Sequence, residues 1–134
     1  DVLNNHYDKV KDIGERSHED LLKLYDDADV VLCPSLDDPL PIVCAEAMCK
    51  AKPVVVSTGV GTASLITNGV DGYVIEKDDA KALATMLRRL IADKAKLPKM
   101  GEQGRHLFEQ HFSMQAFERN VRDRVVHLMD ADEL

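Results

Sequence analysis

The sequence predicts an α/β fold, a Rossmann-like parallel sheet with flanking helices on both faces and further helices closing the chain. Three short apolar runs rich in β-branched residues, at 29–35, 52–58 and 72–76, alternate with segments of helical periodicity. Strands that alternate with helices pair in parallel, and they read as continuous apolar runs because helices cover both faces. Ligands of such sheets bind beyond the carboxyl ends of the strands.

A helix is predicted after residue 17, preceded by a weaker strand pattern. Residues 8–13 carry the pattern of a strand remnant. Ser17 is followed three positions later by an acidic residue, which is typical of a helix N-cap. The helix that follows places apolar side chains on one face, at Leu21, Leu24, Tyr25 and Ala28. We expect the tyrosine of this face to pack in the core rather than to stack on a base.

Prolines mark the borders of the next three elements. Pro34 ends the first apolar run, which predicts a buried strand. Residues 41–50 are long enough for a helix, and Pro41 suits its first turn. Pro53 stands at the entry of the second apolar run, where a strand tolerates the missing N–H.

The second half of the chain predicts one more strand and three closing helices. Glycines between residues 57 and 72 provide turns around one short helical stretch, and the third apolar run follows as a strand. Helical periodicity then recurs in three segments. Their apolar stripes are formed by Leu83, Met86, Leu87, Leu90 and Ile91, by Met100, Leu107 and Phe108, and by Met114, Phe117, Val121, Val125 and Leu128. The acidic end, residues 129–134, is expected to fray.

Composition excludes several classes of function. The 134 residues fit one domain, predicted to span 1–134, and the net charge of −7 disfavours nucleic-acid binding. No apolar run approaches the about 20 residues that cross a bilayer. Cysteines and histidines lack metal-site spacing, and three cysteines fit reduced, buried thiols in a cytoplasmic protein. Because the sequence begins at Asp1 rather than at Met, a truncated domain is expected.

The segment DDPLPIVCAEAM, residues 37–48, places one glutamate in an otherwise apolar helix near the predicted edge of the sheet. Glu46 stands among small apolar residues, about one turn into this helix. Its carboxylate either faces a ligand cleft or pairs locally with Lys50, four residues on, which contributes roughly 0.2–0.5 kcal/mol. The helix alone favours the local pair, so the surrounding motifs decide between the two.

An ordered set of short motifs extends over most of the chain, from about residue 12 to 128. The motifs are Ala28-Asp29, Pro34-Ser35, Glu46-Ala47-Met48, Lys52-Pro53-Val54-Val55, Asn68-Gly69, Asp71-Gly72, Asp78, Met100-Gly101 and Phe112-Ser113. With these motifs the sequence resembles the carboxyl-terminal, donor-binding domain of family-4 retaining glycosyltransferases, the glycosyl transferases group 1, which have the two-domain GT-B fold. The resemblance implies that the chain is a partial GT-B carboxyl-terminal domain.

The resemblance implies an enzyme that transfers a sugar from a nucleotide diphosphate sugar to an acceptor, with retained configuration and without a metal or other cofactor. The acidic pair of the family, two residues eight apart, falls on Asp38 and Glu46. The resemblance implies that Glu46 binds the ribose hydroxyls of the nucleotide. It also implies that Asp38, at the catalytic position, binds a hydroxyl of the donor sugar. Arg16 matches the region that cradles the base. The backbone N–H groups at the helix start, those of Leu40, Ile42 and Val43, would bind the diphosphate.

The chain departs from the family pattern at several positions. Asp38 is one methylene shorter than the usual Glu, Pro39 and Pro41 replace common glycines and so remove N–H donors, and Ser64 stands where an acidic residue is frequent. The resemblance also implies an acceptor domain and a basic pair upstream of Asp1. The chain alone is therefore expected to be inactive and at best a weak donor binder, with membrane contact only through regions outside it.

Two functions of other classes remain open. A catalytically lapsed domain that binds a partner or acts as a scaffold would keep the fold and tolerate the proline and serine replacements. A receiver-like signalling module shares the layered architecture, and Asp37-Asp38 would mimic its acidic pair. No predicted strand of this sequence ends in a phosphoacceptor aspartate, which counts against that module.

Overall fold

A parallel sheet of three strands forms the centre of the molecule. The structure is a computed structural model that describes residues 10–131. The strands are β1 (Val31–Cys33), β2 (Val54–Ser57) and β3 (Gly72–Ile75), in the spatial order β1-β2-β3. Val31 lies opposite Val54, and Val54 lies opposite Gly72. The predicted parallel sheet is confirmed, with strands shorter than the apolar runs that predicted them.

Five α-helices and two short 3₁₀ helices occupy the described part of the chain. The α-helices are α1 (His18–Asp27), α2 (Ile42–Cys49), α3 (Ala80–Ala92), α4 (Leu97–His111) and α5 (Met114–Ala131). The 3₁₀ helices are Gly61–Leu65, which is the short helical stretch predicted between the glycines, and Lys94–Lys96. Every predicted helix is therefore present.

Two helix starts follow local chemistry that the sequence indicated. The Ser17 hydroxyl accepts the Asp20 N–H at 3.2 Å, as an N-cap does. Pro41 is the N-cap residue of α2 rather than a member of its first turn. Its ring fixes φ at −66° one residue before the helix, where no intrahelical N–H is required.

The strand predicted at residues 8–13 is wrong for residues 10–13, which form no strand; residues 8 and 9 lie outside the described residues. The physical reason is a local turn. The Gly14 N–H donates to the Asp12 carboxylate at 2.8 Å, and Gly14 adopts φ of +61°. An aspartate that bonds the backbone two residues on favours a turn over strand pairing. Fraying was predicted for the acidic end, residues 129–134. Residues 129–131 are instead the last residues of the final helix, and residues 132–134 also lie outside the described residues.

The alternation of β2 divides the core between the two faces of the sheet. Val54 and Val56 pack on one face with α2, in a cluster that also holds Tyr25 of α1. Val55 points to the other face and packs with Leu90 of α3. Successive strand residues point to opposite faces, so one short strand anchors both helical layers.

Helix α2 is held between the sheet and α4. Its residues Cys44, Ala47 and Met48 are fully buried. A Cβ added to Gly101 of α4 would overlap the carbonyl oxygen of Ala51, at the end of α2. The glycine therefore allows the two helices to approach closely, and Glu46 is the one charged residue of α2.

The last helix carries its apolar stripe largely in solvent. Ala116 near its start is fully buried, whereas four members of the predicted stripe are between 44% and 64% exposed, namely Phe117, Val121, Val125 and Leu128. The predicted periodicity is present, but residues 10–131 do not bury the stripe, since Met114 at its start is also 67% exposed. Across residues 10–131, no helix has both the length and the apolar character needed to cross a membrane.

Replacing a methionine of α2 tests the proposed position of the core. We expect Met48→Ala to lower the free energy of unfolding by about 2–5 kcal/mol, because the side chain is fully buried between the sheet and α4. Urea unfolding followed by circular dichroism measures the change. The matched control is Met129→Ala, whose side chain is 66% exposed and whose loss should cost less than about 0.5 kcal/mol. Equal losses for both variants would contradict this core.

Candidate functional site

Two loops meet at the carboxyl edge of the sheet, where the sequence placed the site. One follows β1 and the other follows β2. The Asp38 N–H donates to the Gly59 carbonyl at 3.0 Å, and the Gly61 N–H donates to the Asp38 carbonyl at 2.9 Å. These bonds form an isolated parallel bridge between Asp38 and Val60. The backbone of Asp38 is therefore fixed to the neighbouring loop.

The glycines of the second loop allow this close approach. A Cβ at Gly59 would overlap the carbonyl oxygen of Leu36, and a Cβ at Gly61 would overlap that of Pro39. The short G-V-G pattern thus serves backbone packing, although by sequence it resembles a fragment of a phosphate loop. Nearby, the Ser57 hydroxyl donates to the carbonyl of Ser35, a second link between the same two loops.

Asp38 is half-buried at this edge. Its Oδ1 accepts the Leu40 N–H at 3.2 Å, which closes a turn before α2. This contact engages one of the three backbone donors that the sequence proposed. Ile42 and Val43 are the first two residues of α2, and helix geometry gives their N–H groups no intrahelical acceptor.

Glu46 occupies an intermediate position between core and solvent. Its side chain is 19% exposed. The Tyr25 hydroxyl donates to Oε2 at 2.9 Å, and Nδ1 of His18 lies 3.3 Å from Oε1. Tyr25 is 4% exposed, whereas the His18 side chain is 69% exposed. The carboxylate is thus neither turned out to bulk water nor sealed from it.

The alternative predicted for Glu46, a local pair with Lys50, is not formed. Lys50, four residues on, instead places Nζ at 2.9 and 3.1 Å from the two carboxylate oxygens of Asp26 in α1. This ion pair docks the end of α2 against the end of α1. Among the described residues, both side-chain partners of Glu46 therefore come from α1.

Burial sets the protonation of two groups beside this site. Burial raises the pKa of the Tyr25 phenol, and the hydrogen bond to the Glu46 carboxylate raises it further. Tyr25 therefore remains a hydrogen-bond donor throughout the physiological range. Burial, with Cys33 nearby, raises the pKa of the Cys44 thiol to about 12. Cys44 is thus a neutral packing residue rather than a nucleophile.

The sequence missed the two partners of Glu46. Tyr25 was expected to be buried, which is confirmed, but its hydroxyl was not assigned a partner. His18 is an exposed residue of α1 and faces Glu46 from the surface. The seven-residue spacing of 18 and 25 puts both on one face of α1, a signal that could have linked them. Arg16 lies exposed, two residues before α1.

A cleft of about 340 Å³ opens at the same edge of the sheet but beside α3. It lies on the opposite face from Glu46, and its lining includes Pro34, Ser57, Glu76, Asp79 and Leu83. Thr58 closes one wall by donating its hydroxyl to Glu76 at 2.9 Å. The described residues contain no group of three or more potential metal ligands, and their three cysteines are free.

Comparison with known proteins identifies one family. Residues 4–107 match the sequence profile of the glycosyl transferases group 1. Among individual proteins, the chain is similar to the amylovoran biosynthesis glycosyltransferase AmsK of Erwinia amylovora. The two are 37% identical over 89 residues, which cover 62% of this chain and 22% of that protein.

Two solved structures share the architecture. The sucrose-phosphate synthase of Thermosynechococcus elongatus superposes with a TM-score of 0.79 and 30% identity, covering 92% of this chain and 31% of that one. HepE of Anabaena, solved in complex with UDP-glucose, superposes with a TM-score of 0.77 and 25% identity, covering 90% and 33%. The chain therefore spans about a third or less of each of these three proteins.

Placing a methyl group at Gly61 tests the junction of the two loops. We expect Gly61→Ala to lower the free energy of unfolding by about 1–3 kcal/mol, because the added Cβ overlaps the Pro39 carbonyl and separates the loops. Urea unfolding measures the loss. Leu36→Ala is the control, since Leu36 is 61% exposed in the loop after β1 and removal of its side chain should change stability by less than about 0.5 kcal/mol. A Gly61→Ala protein as stable as the control would refute the junction.

Proposed function

Because the chain belongs to the glycosyl transferases group 1 family, we propose that it binds the nucleotide diphosphate sugar from which a glycosyl group is transferred with retention. The observation that carries the proposal is Glu46: the one charged residue of an apolar helix, about one turn from its start, 19% exposed and held by partners from α1. An ionised side chain at such a position is costly unless it is hydrogen-bonded or serves a ligand. The UDP-glucose complex of HepE supports a nucleotide sugar as that ligand.

We assign the ribose hydroxyls of the nucleotide to Glu46. A carboxylate has two oxygens with about four acceptor positions, so it accepts bonds from two vicinal hydroxyls while keeping a protein partner. Hydrogen bonds to an ionised acceptor are about twice as strong as neutral ones. The exposed His18 on the Oε1 side is a contact that an arriving hydroxyl can replace.

Asp38, the catalytic position of the acidic pair, is assigned a hydroxyl of the donor sugar. The bridge to the loop after β2 fixes its backbone, and the residue is half-buried rather than sealed in the core. With Oδ1 engaged by the Leu40 N–H, Oδ2 remains for a ligand. Because the Asp38 side chain is one methylene shorter than that of the usual Glu, it reaches the donor sugar only if this rigid loop brings the sugar close.

The diphosphate is assigned to the start of α2. The N–H groups of Ile42 and Val43 point out of the helix N-terminus, where the helix dipole favours an anion. The Leu40 N–H would join them on release from Asp38. Arg16, exposed before α1, is assigned to the base of the nucleotide. No metal is required by this arrangement of donors.

The proposal for the chain alone is donor binding without turnover. Transfer is proposed for a protein that also supplies an acceptor site, because the chain spans about a third of the HepE structure. The acceptor class is left open. The three free thiols support a reducing, cytoplasmic location.

A catalytically lapsed domain is the second candidate, and the loop after β2 favours it. The Ser64 hydroxyl donates to the Gly61 carbonyl at 3.1 Å, where the family often carries an acidic side chain. Ser64 therefore caps its own 3₁₀ helix rather than offering a charge to the donor. A lapsed domain would bind a protein partner and no nucleotide.

Titration with nucleoside diphosphates separates the two candidates. We expect UDP, GDP or ADP to give saturable binding by calorimetry, and Glu46→Gln to weaken it by at least about tenfold, as for the loss of a hydrogen bond to a charged group. Glu118→Gln is the matched control, since it removes the same charge from an exposed position of α5 and should leave affinity unchanged. Absence of binding for all three nucleotides would overturn the proposal in favour of the lapsed domain.

A further inference from the structure

We propose that Tyr25 is a positioning residue for the nucleotide site: its hydroxyl orients the Glu46 carboxylate so that this carboxylate can accept two vicinal hydroxyls of the ligand. The inference rests on the proposed function, since it assigns a task to a neighbour of the residue that binds the ribose. Tyr25 itself is not expected to touch the ligand.

The geometry of Tyr25 suits this task. The ring is 4% exposed and belongs to the core cluster of Cys44, Met48 and Val54, so packing from two other elements fixes its orientation. Its hydroxyl reaches Oε2 of Glu46 at 2.9 Å, across 21 residues of sequence. A side chain locked by packing that bonds a flexible one transfers its order to that side chain.

A tyrosine that served the core alone would not need this hydroxyl. Burying a phenol requires an acceptor for its O–H, and phenylalanine would fill the same space without that requirement. Glutamate has three side-chain torsions, and α2 offers no charged neighbour to restrain it. The Tyr25 contact therefore supplies the restraint that the helix lacks.

The two oxygens of Glu46 have different surroundings. Oε2 is held by the buried Tyr25, whereas Oε1 is approached by His18, whose side chain is 69% exposed. Lys50 is engaged by Asp26. Oε1 is consequently the oxygen open to exchange with a ligand, and Oε2 keeps lone-pair capacity for the second hydroxyl.

A purely structural role makes a different prediction. If the bond only docks α1 on α2, its loss would weaken all ligands of the site equally, through stability. A positioning role instead affects the hydroxyls that Glu46 binds. The distinguishing quantity is the ratio of the affinities for UDP and for 2′-deoxy-UDP, which lacks one of the two ribose hydroxyls.

The test measures both affinities by calorimetry for the wild-type chain, Tyr25→Phe, Glu46→Gln and the double variant. We expect Tyr25→Phe to weaken UDP about three- to tenfold, in the range of one hydrogen bond, and to reduce the ratio. Glu46→Gln should remove the discrimination, and the double variant should bind no more weakly than Glu46→Gln, because the tyrosine acts through the glutamate. Tyr73→Phe is the control, since Tyr73 is the other buried tyrosine within residues 10–131, and it should leave the ratio unchanged.

The outcomes separate this inference from the proposed function. An unchanged ratio in Tyr25→Phe, or losses that add fully in the double variant, would overturn the positioning role while UDP binding by the wild type stands. Absence of binding to the wild type would overturn the proposed function, and the positioning role with it. Should Tyr25→Phe fail to fold, 4-fluorophenylalanine at position 25 keeps the volume without the donor, and the same ratio decides.

Discussion

One hydrogen bond, from Tyr25 to Glu46, connects the core of this protein to its solvent-facing edge. It joins α1 to α2 in a region where α2 is otherwise apolar, and it satisfies a carboxylate that burial would otherwise make costly. The ion pair of Lys50 with Asp26 joins the same two helices one turn farther along α2. Because α2 also packs on the sheet and α4, a displacement of α1 would disturb the packing of the core cluster that contains Tyr25, Met48 and Val54.

The second part of the site depends on backbone rather than on side chains. The loops after β1 and β2 are joined by hydrogen bonds that glycine alone permits at positions 59 and 61. Asp38 is thereby carried on a rigid segment, while Glu46 is carried on a helix. In the proposed function, these two acids would hold the two ends of an extended donor from separate, well-packed supports.

Sequence patterns predicted the fold well because the positions of its strands and helices depend on local signals. Apolar runs, N-cap chemistry and helical periodicity placed the strands and helices, and the α2 glutamate was singled out before its surroundings were known. The weak strand at 10–13 was wrong because Asp12 makes a turn with Gly14, a side-chain contact that apolar periodicity ignores.

The finer chemistry of the site could not be predicted from local patterns. The Tyr25 hydroxyl and the His18 imidazole contact Glu46 across 21 and 28 residues of sequence, respectively. Local patterns in one sequence do not indicate contacts between residues so far apart. Likewise, Asp38 was expected to face a ligand, and the structure adds that it also engages the Leu40 N–H. Roles for Asp38, Ile42, Val43 and Arg16 remain proposals that rest on their places in the fold.

Amide chemical-shift mapping during addition of UDP to isotope-labelled protein tests the central claim most directly. The account predicts that the largest shift changes fall on the amides of residues 38–46 and on the α1 residues that contact Glu46. Changes confined to the cleft beside α3, or spread evenly over the molecule, would contradict it.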